Sequence, residues 1–356
     1  MAPSEPPSVL QVPVLDIGAL IAAKNDAEVR ATLTEDDPIL KHTIAELRKA
    51  AAEWGFFYIE NHGVSEQQIE ELRAASRAFF ALPKNVKNKV RRQETNSRGY
   101  FDNELTKNKL DWKEVFDFTG PQEDGPPDDK VFKRLRDNQN QWLSEDDLPG
   151  FHKTVTDYYA AVEHIAHRLI QVFAVALGED VEFFDQFFYR QGTDGASRVS
   201  GNTATVRLNH YPPSPEPEKT MGVYHHTDSG VLTVLLQDDD VASLQVFHRG
   251  TQQWLNVPPK KNTFVINIGD MVQVWSNDKF VAPLHRVVST AAASRYSTPF
   301  FYSPSYDAVV SPIVINKDEE PHYRPIRYGD FTLERTKGNF ADLGEEIQIV
   351  HFRIEP

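Results

Sequence analysis

The sequence predicts a mainly β, α+β fold: a β core near residues 200–305 with helices packed outside it. Three observations lead there. Beyond Gly201, short apolar runs recur between Pro, Gly and Asp turns, the pattern of an antiparallel sandwich or barrel. Ahead of it, residues 39–54 and 65–82 carry helical spacing. A third helical stretch, 148–177, is long enough to back a whole sheet.

The elements follow in order. Residues 1–8 read as a Pro-rich leader and 12–17 as a strand. Ile39, Ile44, Leu47, Ala51 and Trp54 share a helical face that stops at Gly55. Phe56-Phe57-Tyr58-Ile59 is β-like and closes at Asn61-His62-Gly63. Ser65 caps the next helix, with Gln68 as capping-box partner, and that helix ends before Pro83. Residues 91–108 are polar and read as loop. Residues 119–148, rich in Asp, Pro, Gly and Asn, read as a mobile surface excursion, with a substrate lid as the sharper alternative. The long helix carries Val155, Tyr158, Val162, Ile165, Leu169 and Phe173 on one stripe. Strands are expected at 204–211, 230–236, 244–247, 263–268, 272–275 and 295–302. The chain so divides into a helical and strand region (1–120), a loop with its supporting helix (121–195), the β core (196–310) and a less regular tail (311–356), all within one compact unit.

A net charge of −14 argues against nucleic acid and against an anionic membrane surface. The absence of cysteine excludes disulfides, Cys-zinc sites and thiol nucleophiles. Nitrogen and oxygen ligands alone point to iron, manganese or zinc. Residues 1–13 hold no apolar run suited to a signal peptide, and no apolar stretch would span a bilayer, so the expected location is cytoplasmic.

The chemistry concentrates in His226-Thr227-Asp228 and His285. Strand alternation would put His226 and Asp228 on one face and Thr227 on the other. Two imidazoles and one carboxylate can hold a divalent metal on a triangular face and leave three positions open, the ligand set of non-haem Fe(II) oxygenases. Such a triplet alone is a weak signal, but of twelve histidines only His226 has an Asp two positions on. The plainer alternatives are a surface His/Asp pair and a satisfied core histidine at 285. His225 should face away from Asp228, His62 reads as a turn histidine, and His210 should point away from Asn209 and Tyr211.

Arg295 and Ser297 lie two residues apart, beside apolar Pro299, Phe300 and Phe301. A buried guanidinium is expensive without an anion, and its planar fork fits a carboxylate. Pairing with a distant Asp or Glu is the alternative. Arg207, Asn209 and Tyr211 alternate on one strand face and could reach inward; edge-strand polarity is the plainer alternative.

Nearly the whole chain resembles the 2-oxoglutarate and Fe(II)-dependent dioxygenase superfamily, in the branch of isopenicillin N synthase. The resemblance runs through Val12-Pro13-Val14-Leu15-Asp16, Trp54-Gly55-Phe56-Phe57, Asn61-His62-Gly63-Val64 and Leu110-Asp111-Trp112-Lys113-Glu114. It continues in Asn209-His210-Tyr211-Pro212-Pro213, His226-Thr227-Asp228, Gly269-Asp270-Met271, Ser276-Asn277-Asp278, Leu284-His285-Arg286-Val287 and Arg295-Tyr296-Ser297. It implies a double-stranded β-helix, or jelly-roll, core. It assigns iron to His226, Asp228 and His285, the far carboxylate of 2-oxoglutarate to Arg295 and Ser297, and its chelating end to Asn209 and Tyr211. Substrate-lining positions fall on Val115, Asp117, Arg207 and Phe301, with Tyr100, Phe116 and Phe118 nearby.

The implied enzyme is an oxidoreductase. It couples decarboxylation of 2-oxoglutarate by O2 to hydroxylation, desaturation or ring closure of a small organic molecule, as in specialised metabolism. Ascorbate is a candidate reductant. The Arg-x-Ser pair signals a carboxylate before it signals 2-oxoglutarate, so an Fe(II) oxidase clamping its own substrate is the alternative. A non-catalytic binding module and a zinc hydrolase are further ones.

Overall fold

A computed structural model describes residues 10–34, 38–93, 96–120, 139–191, 198–238, 240–314, 318–338 and 346–354. Most of the expected surface excursion, including its lid reading, lies outside these residues, as does the leader at 1–8.

Two sheets face each other. The larger contains β1 (Val14–Asp16), β2 (Phe56–Glu60), β3 (Gly99–Phe101), β6 (Glu114–Thr119), β9 (Thr205–Tyr211), β11 (Leu232–Gln237), β14 (Phe264–Ile268) and β16 (Arg295–Tyr302). Its order is β1-β2-β14-β11-β16-β9-β6-β3. Every pairing is antiparallel except β1 with β2. The smaller sheet has the order β10-β15-β12-β13, from β10 (Met221–His226), β12 (Leu244–His248), β13 (Gln253–Asn256) and β15 (His285–Val288). Two short hairpins stand apart: β4 (Leu105–Thr106) with β5 (Lys109–Leu110), and β7 (Tyr189–Gln191) with β8 (Arg198–Ser200).

Alternation divides the large sheet into two faces of different chemistry. One face carries Phe116, Phe118, Val206, Leu208, Phe300, Tyr302, Val234 and Ile266, packed against helices. The helices are α1 (Gly18–Ala22), α2 (Asp26–Thr34), α3 (Pro38–Glu53), α4 (Glu66–Ala81) and α5 (Phe151–Ala176). The predicted stripe of α5 is buried here: Val155, Val162, Leu169 and Phe173 have no exposed surface. Each such side chain contributes about 1.5–3 kcal/mol of transfer free energy. The cap of α4 has the predicted form, with Ser65 and Gln68 satisfying each other's backbone N–H groups. The opposite face meets the smaller sheet across Phe56, Tyr58, Val223, Leu235, Val246, Val265 and Val287.

The structure corrects the element reading at two places. Residues 272–275 are not a strand; they belong to helix α6 (Asp270–Trp275), whose six residues are all buried. A short, fully buried apolar run has no period that separates strand from helix. Residues 91–108 are not simply loop: they hold β3 and β4, and Arg92, Arg98 and Glu104 are buried there. Arg92 and Glu104 pair with each other inside the protein rather than with solvent. The division at residue 120 is also not a structural seam, since β1, β2, β3 and β6 all belong to the main sheet. The tail holds a further helix, α7 (Tyr328–Gly338), and Arg335 in it donates to the carbonyl of Thr227.

Candidate active site

His226 ends β10 and His285 begins β15, and the two are paired in register. Their rings lie 4.3 Å apart. Asp228 lies just beyond the end of β10, so a strand end rather than a strand face brings the triplet together. Gly269 allows the chain to turn there: a Cβ would fall 2.3 Å from the Gly230 carbonyl oxygen and 3.2 Å from that of Asp228. Oδ1 of Asp228 stands 3.5 Å from Nε2 of His226 and 3.6 Å from Nε2 of His285. One ligand atom from each residue lies within 4.8 Å of the others.

The neighbours fix how each group points. Nδ1 of His226 donates to the Tyr224 carbonyl at 2.8 Å, and Nδ1 of His285 to that of Pro283 at 3.2 Å. Carbonyl oxygens only accept, so a hydrogen sits on each Nδ1 and Nε2 is the atom turned toward Asp228. Oδ2 of Asp228 accepts from Thr233 at 2.5 Å and Asn267 at 2.9 Å, which leaves Oδ1 for the histidine side. Burial opposes the Asp228 charge, but His285, His226 and the Thr233 hydroxyl hold its carboxyl far below the usual range. Burial, with His226 beside it, pushes His285 down to about 4. Two imidazoles and a carboxylate on one side fit a divalent iron.

Below this cluster, the inward face of β9 and β16 carries the expected polar set. Register pairs Arg295 with Tyr211 and Ser297 with Asn209. Arg295 is 1% exposed; its Nη2 donates to Gln237 at 3.0 Å, and its guanidinium lies 5.0 Å from the Tyr211 ring centre. Among the described residues Nε and Nη1 have no hydrogen-bond partner, and neither has Oδ1 of Asn209, whose amide donates to Ser297 at 3.3 Å. Buried donors of this kind call for an acceptor, and a carboxylate is the acceptor that suits a guanidinium.

The remaining positions separate by face. Val115, Asp117, Arg207 and Phe301 all lie on the inward side, with Val115 opposite Asn209 and Asp117 opposite Arg207. Tyr100 and Phe116 do not join them. They pair with each other across β3 and β6 and pack among Phe79, Trp142 and Phe151 on the helix side. Phe118 faces the same way. Their assignment to the substrate wall is corrected here, because neighbours of an inward residue along a strand point outward. Arg207 is held by Glu104 and Asp117 through four hydrogen bonds of 2.7–2.9 Å. Its guanidinium lies 6.0 Å from the Phe301 ring centre. His210 points away, to Glu114 and Ser294; His225 is exposed, and His62 accepts from the backbone of its own turn.

Sequence reasoning missed Thr233, Asn267, Gln237, Glu104 and Arg92. Asn267 and Gln237 did leave a signal, as single amides in the apolar runs Phe264–Ile268 and Leu232–Gln237.

The non-haem dioxygenase N-terminal model matches residues 12–145, and the 2OG-Fe(II) oxygenase superfamily model matches residues 202–304. A homoarginine-6-hydroxylase of Oryza sativa subsp. japonica (2-ODD-233) is 31% identical over 341 residues, covering 93% of this chain and 98% of its own. This chain belongs to the 2OG-Fe(II) oxygenase superfamily. The solved structure of a full-length Neurospora crassa protein in complex with alpha-KG and thymine overlays with a TM-score of 0.73 at 26% identity, covering 94% of this chain and 98% of its own. That of JOX2 with 2OG, Fe and JA overlays at 0.71 and 26%, covering 92% and 87%. The jelly-roll core, the Fe(II) and 2-oxoglutarate requirement and the oxidoreductase class stand with the family. Its members named here hydroxylate or bind small molecules. No helix among the described residues is long and apolar enough to cross a membrane.

Proposed function

We propose that His226, Asp228 and His285 hold Fe(II), that Arg295 and Ser297 receive the far carboxylate of 2-oxoglutarate, and that Asn209 and Tyr211 steady its other end. The substrate then lies above, against Val115, Asp117, Arg207 and Phe301, and one of its C–H bonds is oxidised. Hydroxylation, desaturation and ring closure are all open to this arrangement. The reading extends to a cytoplasmic enzyme of small-molecule, specialised metabolism with no nucleic-acid partner.

The observation that carries it is the pair of buried guanidinium nitrogens of Arg295 that lack a partner among the described residues, on a larger-sheet strand, together with the His/Asp/His cluster whose two histidines are paired in the smaller sheet. Iron, when bound, supplies oxygen activation coupled to decarboxylation of the co-substrate. The chain supplies the rest. Backbone carbonyls orient both imidazoles, and Thr233 with Asn267 restricts Asp228 to one ligating oxygen. Arg295 sets the depth of the co-substrate, and the apolar wall of Phe56, Leu235 and Val287 excludes water.

The test is anaerobic: Fe(II) is added, then 2-oxoglutarate, and the visible charge-transfer absorption of the chelate is followed. A band that needs Arg295, and succinate formed on admitting O2, are the expected results. Iron binding with neither band nor succinate would favour an oxidase whose own substrate fills the clamp.

A further inference from the structure

The inward face next to the proposed substrate position holds a buried cluster of charges that does not balance among the described residues. Glu104 bridges Arg92, Lys113 and Arg207; Asp117 bridges Arg92 and Arg207; Asp111 pairs with Lys113. These three cations meet three carboxylates. Arg98 makes a fourth cation close enough to press on Arg92. It is 8% exposed, its Nη1 reaches only the hydroxyl of Thr205 at 3.3 Å, and its Nε is buried with no partner. A guanidinium taken from water and left with one neutral hydroxyl is strongly disfavoured unless an anion arrives.

Its position relative to the iron site follows from register. Thr205 lies opposite Phe301, Phe301 opposite Thr233, and the Thr233 hydroxyl holds Asp228. Arg98 is thus tied to β9, two strands along from the β11 residue that orients the metal-binding carboxylate, with strands roughly 4.8 Å apart. Arg295 serves the other end of the same strands, so the two arginines are separate anion sites.

We propose that Arg98, with Thr205, is a specificity-determining contact that binds a carboxylate on the substrate, making the substrate of this enzyme an organic acid. Arg207 is committed to Glu104 and Asp117 and does not take this part. Its role is to hold the cluster together and to present a flat face beside Phe301. A neutral analogue leaves Arg98 without a counter-charge, so the site discriminates against amides and esters.

The proposal rests on the metal and co-substrate positions given above, and its test reads binding rather than turnover. Protein loaded anaerobically with Fe(II) and 2-oxoglutarate is titrated by calorimetry with phenylacetate and octanoate, then with phenylacetamide and octanamide. Expected is at least a tenfold preference for an acid over its amide, reduced to within twofold in Arg98→Gln and largely kept in Arg98→Lys. A ratio near one in the unmodified protein, no measurable binding of either acid, or a preference that survives Arg98→Gln overturns it. If acids bind with the Arg98-dependent preference but never accelerate succinate formation, the anion site stands and the oxygenase reading of the pocket fails.

Discussion

The hydroxyl of Thr233 is hydrogen-bonded at 2.5 Å to Oδ2 of Asp228, the carboxylate oxygen turned away from His226 and His285. The Asn267 amide shares that oxygen at 2.9 Å. The two donors keep the carboxylate from rotating and leave a single oxygen toward the metal. Thr233→Val should therefore lower Fe(II) affinity by about 10- to 100-fold, the range for lost outer contacts to a metal ligand. Asn267→Leu should act in the same direction. Anaerobic metal titration with a circular dichroism control measures both, and unaltered affinity in the pair of variants would remove the orienting role.

These two residues also mark what was legible in the chain and what was not. The ligands stood out because His226-Thr227-Asp228 is a local pattern and Arg295-Tyr296-Ser297 another. Thr233 and Asn267 act across strands, and their partner is chosen by register, which no local pattern records. Register also separates Phe301 and Val115, which face inward, from Phe116 and Tyr100, which face α5. The helix of α5 was legible because its apolar stripe holds over many turns. Helix α6 was not, because burial on all sides erases the period. The charged residues of 91–108 read as solvated, since sequence shows charge but not which charges neutralise each other.

Arg295 is buried with two of its nitrogens unpartnered among the described residues, and Gln237 orients it by a side-chain hydrogen bond of 3.0 Å. Arg295→Met should raise the KM for 2-oxoglutarate by about 100-fold or more, the effect of removing a buried, hydrogen-bonded charge from an anion site. Gln237→Leu should raise it by about tenfold, one hydrogen bond's worth of positioning. Succinate formation against co-substrate concentration distinguishes the two. An Arg295→Met enzyme with unchanged KM for 2-oxoglutarate but weakened substrate binding would assign the clamp to the substrate.

Glu104 accepts ion pairs from Arg92, Lys113 and Arg207. Burial opposes its charge, but those three cations hold its carboxyl well below the usual glutamate range. Glu104→Gln leaves three buried cations short of a counter-charge and should destabilise the fold by about 3–5 kcal/mol. A lowered pKa in the folded state means that Glu104 contributes its stability above the ordinary glutamate pKa and loses it as pH falls toward the folded value. Urea unfolding at neutral and acidic pH checks both parts: the variant should differ most from the parent at neutral pH, and less as acid is added. A Glu104→Gln protein as stable as the parent would show that the cluster carries no net stability.

His167 on α5 makes a prediction of opposite chemistry, because it is a base kept neutral. Burial is the main cause, and it overrides the attraction of Asp26 to bring the imidazole down to about 4 from 6.5. Its Nδ1 is buried without a partner among the described residues, and Nε2 lies 3.9 Å from Asp26 and 4.0 Å from Asp185. The unfolded chain takes up a proton at this residue near pH 6.5, whereas the folded chain resists until about pH 4. The unfolded state thus binds more protons across that window, and stability must fall as pH drops through it. Each unit of that window corresponds to about 1.4 kcal/mol. His167→Gln cannot be protonated, so its stability should decline less between pH 6.5 and pH 4 than that of the parent. Thermal unfolding over the same window measures the difference between the two slopes. Parallel slopes would mean that the His167 imidazole is already charged in the native protein, with Asp26 and Asp185 outweighing the burial.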